Sequence, residues 1–306
     1  MKLTNENIIT KARSLGFDLI GFAEATILFD AGQRLDEWLG KGFQAGMKYM
    51  NENREKRIDV SNILPGAKSV ISLGMNYNSG EQHDLKPNTG KVSRYAWGKD
   101  YHLVIWEKLN RLEKELKNLD PSFESKSYVD TGPVMDKAWA VKTGLGWLGK
   151  HTNIINKQMG SWFFISTVIT NCEFDYSSPV LDFCGDCTAC IDACPTNAIV
   201  DEYVLDSNKC ISYLTIENKS EAPEEFRGQF DNWLFGCDIC QDVCPWNKKF
   251  SVITNEASFQ SMGNKEIDLD EVENMTGGEF KKRFAESPIN RARLKGLKRN
   301  AAFLKR

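Results

Sequence analysis

Cys184, Cys187, Cys190 and Cys194 are spaced by two, two and three residues, and Pro195 follows. Three thiolates this close can hold three corners of an iron–sulfur cubane, and in two-cluster proteins the fourth cysteine of such a run ligates the other cluster. One run therefore predicts a second, and Cys237, Cys240, Cys244 and Pro245 supply it. In register, its leading thiolate falls at Leu234, so Cys210 is the nearby substitute. Cross-ligation then assigns Cys184, Cys187, Cys190 and Cys244 to one 4Fe–4S cluster, and Cys194, Cys210, Cys237 and Cys240 to the other. Two Cys₄ zinc sites are the alternative, but zinc ribbons need neither the third close cysteine nor the Cys-Pro ending. Cys172, in an apolar stretch, is left as a structural cysteine. Clusters interleaved in this way lie roughly 10–12 Å apart and pass electrons singly, which requires an acceptor elsewhere in the chain or in a partner.

The elements that would position an acceptor precede the cysteines. Residues 1–175 read as an α/β domain. A helical pattern at 5–16 leads into a strand at 17–25, and 67–77 and 160–170 are apolar and strand-like. Residues 101–119 form an amphipathic helix with Leu109, Leu112 and Leu116 on one stripe. The segment 125–132 reads as a strand ending at Asp130, with Pro133 opening the next helix. An acid at the carboxyl end of a strand in an open α/β sheet stands where ligands gather; Asp is also a favoured helix N-cap. The glycine-rich 143–151 matches neither the dinucleotide nor the Walker A pattern. The electrons must go to another cofactor or to a docked protein. A join between domains is expected near 175–183, giving segments 1–175, 176–255 and 256–306.

Hydrophobic residues make up 41% of the 306 residues, no apolar run approaches a membrane span, and the N-terminus lacks a signal-peptide core. A cytoplasmic protein with reduced thiols is expected, and, without an exposed apolar heptad, a monomer. Net charge is −3, yet residues 281–306 carry ten Lys/Arg against one Glu. Such a tail is either a solvated helix face or a surface for a polyanion.

Several segments have no part in cluster binding but share a pattern: "MKYMNENREKR", "LPGAKSVISLGMNY", "SRYAWGKDYH", "VDTGPVMDKAWAVKTGLGWLGKHTNIIN", "CISYLTIENK" and "SPINRARLKGLKRNAA". Together with the cysteine runs they span nearly the whole chain, which resembles the epoxyqueuosine reductases. The resemblance implies a nitroreductase-related, cobalamin-binding α/β domain, a ferredoxin-like domain with two 4Fe–4S clusters, and a basic helical tail. It implies reduction of the epoxide of epoxyqueuosine, in the anticodon loop of tRNA, to the alkene of queuosine. The electron donor is left unidentified. Asp130 matches the family's acid. Donation at neutral pH requires it to stay protonated, which burial or electron-rich cobalt nearby would favour. Arg57 matches an arginine near the cobalamin, and Ser93 and Ile154 fall where relatives touch the corrin. Lys137 stands where many relatives carry Arg and lacks its planar fork. For His151 and Tyr213, packing and ligand contact are both open. No complete Asp-x-His-x-x-Gly motif occurs, so no histidine lower ligand to cobalt is expected. Longer relatives continue into a helical-repeat domain, and this chain looks like a short form. A reductive dehalogenase acting on a small molecule, or a two-cluster electron carrier, are the competing readings.

Overall fold

The computed structural model describes residues 2–305. Helix α1 (Asn5–Ser14) is capped by Thr4 and leads into strand β1 (Leu19–Glu24) and helix α2 (Phe29–Gly40). Strands β2 (Ser69–Asn76) and β3 (Thr89–Val92) follow, then helix α3 (Tyr101–Leu119). Asp100 caps α3 by accepting from His102 N at 2.9 Å, and Pro121 disfavours helix at its other end. Strand β4 (Ser125–Tyr128), helix α4 (Asp136–Lys142) and strand β5 (Phe163–Thr170) complete the N-terminal half.

The main sheet has the order β1-β2-β5-β4, and every pair is antiparallel, with Ile71 opposite both Phe22 and Val168. β2 is buried along its whole length because both faces are covered. On one face Ile71 and Leu73 meet Ile8 and Ala12 of α1 and Val104, Leu109, Leu112 and Leu116 of α3. On the other, Val70 and Ile169 meet Ala31 of α2 and Trp139 of α4. Each such fully buried side chain contributes about 1.5–3 kcal/mol relative to exposure. The half is therefore α+β. The rule that ligands gather at carboxyl ends belongs to parallel sheets and does not explain Asp130 here.

The C-terminal half adds helix α5 (Ile211–Ile216), strand β6 (Trp233–Phe235), helix α6 (Pro245–Phe250), strand β7 (Glu266–Asp268), and helices α7 (Leu269–Asn274), α8 (Gly277–Phe284) and α9 (Arg293–Lys305). A second sheet, β6-β3-β7, takes one strand from each of the three expected segments. Val92, Trp97, Phe235, Ile267, Phe284 and Leu297 share its core. The buried Arg94 spans the halves, pairing with Asp238 at 3.3 Å and Asp242 at 2.6 Å. Gly160 is required by another close approach: its φ is +71°, and a Cβ there would lie 2.1 Å from Asn247 Oδ1. Asn247 accepts from Ser161 N at 2.6 Å and so fixes the second cysteine run to the start of β5.

Candidate active site

Electrostatic neighbours relate the cysteines to one another in the expected groups. Burial raises the Cys190 thiol to about 11, and Cys184, Cys244 and Cys187 add to it. Burial also lifts Cys237, beside Cys240 and Cys210, and Cys240, beside Cys210 and Cys194. Cys240 also senses Cys190, so the two sets adjoin. Among the described residues no three ligating side chains converge on a point that one ion would occupy. A cubane is a body with four corners, and its thiolates stand apart around it. Thiols whose pKa burial raises stay protonated near neutral pH until a metal displaces the proton. Cys210 and Cys244 are the N-cap residues of α5 and α6, and backbone amides of those helices reach their sulfurs. The donor set fits two clusters. Cys172 is half-buried, packed against the main core.

Asp130 lies beyond β4 on a loop, with φ 56°. Asn and Asp tolerate this left-handed conformation better than other side chains. The N-cap reading is excluded, because α4 begins six residues later, at Asp136; Pro133 sits in the intervening loop rather than in the helix. The Asp130 side chain is 70% exposed, so the chain itself does not bury it. Tyr101 Oη donates to its Oδ2 at 2.7 Å, and His102 Nε2 stands 3.9 Å from the same oxygen. His102 is oriented by Asp100, whose Oδ1 lies 2.8 Å from Nδ1. Sequence reading passed over Tyr101, although it lies within the shared segment "SRYAWGKDYH".

Lys137 has an exposed side chain, yet desolvation lowers the pKa of its ammonium, opposed by Asp130, Cys240 and Cys210. Its ammonium is thus reachable from solvent but crowded by its surroundings. The acid and two thiols of the second set therefore act on the same cation. Lys137 Nζ donates to Thr152 O at 2.9 Å and Asn153 Oδ1 at 3.0 Å. The same loop carries His151, whose Nε2 is buried without a partner among the described residues. Burial, with Lys137 nearby, lowers the His151 pKa to about 4, so the ring is neutral and its free nitrogen can meet a polar group. An orphaned ring nitrogen beside a partly desolvated ammonium fits a large polar cofactor.

The remaining expected contacts are more occupied. Arg57 is buried and donates to Glu52 O and Tyr49 O. The Ser93 hydroxyl bonds to Asp238, and Ile154 is 3% exposed in the short strand Ile154–Ile155. Tyr213 Oη accepts from Gly46 N at 2.8 Å, which is the packing role. Two other surface grooves, near Asp270 and Arg13, contain none of these residues.

Asp136, unnoticed in the sequence, sits on the first turn of α4. A helix N-terminus and the Thr167 hydroxyl, 2.5 Å away, favour its charged form, but desolvation wins and raises its pKa from 3.8 to about 7. Between those values the folded chain holds a proton that the unfolded chain releases. Stability therefore falls as pH rises through this window. Asp136→Asn should unfold with a Tm that varies less between pH 4 and 7, and should be the more stable form at pH 8 by at most about 4 kcal/mol. Parallel pH profiles for the two proteins would contradict this.

The basic tail is partly engaged within the fold. Arg291 pairs with Glu217 at 2.7 Å, Arg283 with Glu271, and Lys305 with Asp270 and Glu273. Arg299 donates to the carbonyls of Leu214, Asn218 and Ser220. Lys281, Lys282, Arg293 and Lys295 are exposed. No described helix is long and apolar enough to cross a membrane.

Residues 57–131 match the family described as "Epoxyqueuosine reductase QueG, DUF1730", and residues 183–247 match a "4Fe-4S double cluster binding domain". The chain is 45% identical to an epoxyqueuosine reductase of Leadbetterella byssophila, over 100% of this chain and 99% of that one. It is 46% identical to one of Cellulophaga algicola, over 97% of each. Among solved structures, epoxyqueuosine reductase with an epoxyqueuosine-modified tRNA-Tyr stem loop superposes with a TM-score of 0.92 at 35% identity. That match covers 98% of this chain and 80% of the other.

Proposed function

The chain belongs to the epoxyqueuosine reductase family, and from that premise we infer that it reduces the epoxide of epoxyqueuosine in tRNA to the alkene of queuosine. The reaction consumes two electrons and two protons and releases water. When bound, two 4Fe–4S clusters and a cobalamin supply the electrons, the thiols of the two sets holding the clusters. The observation that carries the reading is Asp130: an exposed carboxyl, fixed by Tyr101, that acts on the same cation, Lys137, as Cys210 and Cys240 of the second thiol set.

Opening an epoxide places negative charge on oxygen. Asp130 donates the proton that neutralises it, a role worth about 10²–10⁴-fold. Lys137, His151, Arg57, Ser93 and Ile154 border the proposed cobalamin site, where Lys137 and His151 offer side-chain polar groups. No histidine lower ligand is proposed. The exposed Lys281, Lys282, Arg293 and Lys295 take tRNA phosphates, which makes binding salt-dependent. The proposed working state is a cytoplasmic monomer fed by a separate electron donor.

Tyr101 positions the acid. Tyr101→Phe removes the hydrogen bond to Asp130 and is expected to lower turnover about tenfold, with cobalamin and iron content unchanged; an unaltered rate would remove Tyr101 from the account. The function itself is tested in cells. A bacterium lacking its own epoxyqueuosine reductase accumulates the epoxide in its tRNA. Expression of this chain should restore queuosine, and persistence of the epoxide with the protein present and cluster-loaded would overturn the reading.

A further inference from the structure

Taking the eight thiols as a two-cluster relay, the two sets differ in where they face. Cys210 and Cys240 act on Lys137, as Asp130 does, whereas the first set, with Cys190 and Cys244 buried, brings Cys187 to the surface. The first set is the outer one. Beside it runs a row of aromatic rings that the reaction site does not use. Phe183 and Trp246 have centroids 5.9 Å apart, and Trp246 stacks on Phe250 at 5.1 Å. Trp147 touches both Phe183 and Trp246 and donates its Nε1 to Cys184 Sγ at 3.5 Å. Next to the row Leu181 is 77% exposed.

Each end of the row carries a lysine. Lys157 Nζ lies 3.7 Å from the Phe183 centroid, and Lys249 Nζ lies 5.2 Å from that of Phe250. Both lysines are exposed, as is Lys248 between them in sequence and the rings, and none has a carboxylate partner among the described residues. The acids near the cysteine run are more engaged. Asp182 bonds to the Tyr203 hydroxyl, Asp192 accepts from Thr188 at 2.7 Å, and Glu202 pairs with Lys150 at 2.6 Å; Asp186 is exposed. In a chain of net charge −3, a partly exposed apolar row, Phe183 at the surface and Trp246 and Phe250 half-buried, with unpaired lysines at both ends suits a negatively charged protein surface.

We propose that this face, Leu181, Phe183 and Trp246 rimmed by Lys157, Lys248 and Lys249, is the docking site of a small acidic one-electron carrier protein that feeds the outer cluster. The carrier loses one electron and the cluster gains it; no bond forms and no proton crosses. Apolar contact and opposite charge together favour fast, transient association that weakens with salt. The proposal rests on the relay reading, and the test separates the two.

A bacterial flavodoxin serves as the acidic probe. Lys157→Glu/Lys249→Glu spares Lys248, which lies close enough to act on Cys244. With cluster-loaded protein at low salt, the double variant should bind oxidised flavodoxin at least about tenfold more weakly. Bleaching of cluster absorbance by reduced flavodoxin should slow by a similar factor. Dithionite, which needs no docking face, should reduce both proteins equally, showing that the variant is folded and loaded. Raising salt should bring the unmodified protein down to the variant. Equal binding by both, or no binding of flavodoxin by the unmodified protein, overturns the docking site. Failure of dithionite to reduce clusters in the unmodified protein overturns the relay and this proposal with it.

Discussion

Asp130→Asn is expected to slow epoxide reduction by about 10²–10⁴-fold while iron and cobalamin content stay unchanged. The exposed side chain and the left-handed backbone make the substitution structurally mild, because Asn tolerates the same conformation. The amide oxygen can still accept from Tyr101, so the loop keeps its anchor. What disappears is the transferable proton, and with it neutralisation of the oxygen as the ring opens. The measurement is a single-turnover rate on tRNA carrying the epoxide, with iron and cobalamin quantified on the same sample. A rate within threefold of the unmodified protein would assign the proton to another group, and His102, 3.9 Å away, would be the first candidate.

Cys244→Ala should lose the cluster whose other ligands lie some 55 residues upstream, at Cys184, Cys187 and Cys190. Iron should fall from about eight to about four per chain, and electron transfer into the site should drop by at least about 100-fold, since the outer step of the relay is gone. The informative comparison is between pairs of variants. Cys187→Ala and Cys244→Ala should lose the same cluster signal in electron paramagnetic resonance, and Cys194→Ala and Cys210→Ala should lose the other. If each cysteine run instead held its own cluster, Cys244→Ala would group with Cys237→Ala. The grouping of thiols around Cys190 and around Cys240 favours the crossed arrangement.

Much of this was legible because it is local. The helix read at 101–119 is the helix found, since its stripe has no competing glycine or proline. The cysteine spacings announced a double-cluster domain, because the close Cys runs ending in Cys-Pro leave few alternatives. Long-range arrangement was not legible. The strands around β2 were found, but their antiparallel pairing depends on partners about 50 and 95 residues away. Asp130 was placed at a strand end, and the short strand, the loop through Pro133 and the late start of α4 were not foreseen. Asp136 looked like any acid at the start of a helix; only its burial beside Thr167 makes it different. The tail looked uniformly free, but Arg291 and Arg299 meet residues about 80 positions earlier. Ser93 reads as a small polar residue, and its bond to Asp238 joins the α+β half to the second cysteine run.

The most direct test weighs the product. Protein purified without oxygen, loaded with iron, sulfide and cobalamin, is given a strong reductant and tRNA containing epoxyqueuosine, and the digested nucleoside is analysed by mass spectrometry. The account predicts loss of one oxygen, about 16 mass units, dependent on cobalamin and abolished or strongly slowed in Asp130→Asn. An unchanged nucleoside, with both clusters and cobalamin shown to be bound, would contradict it.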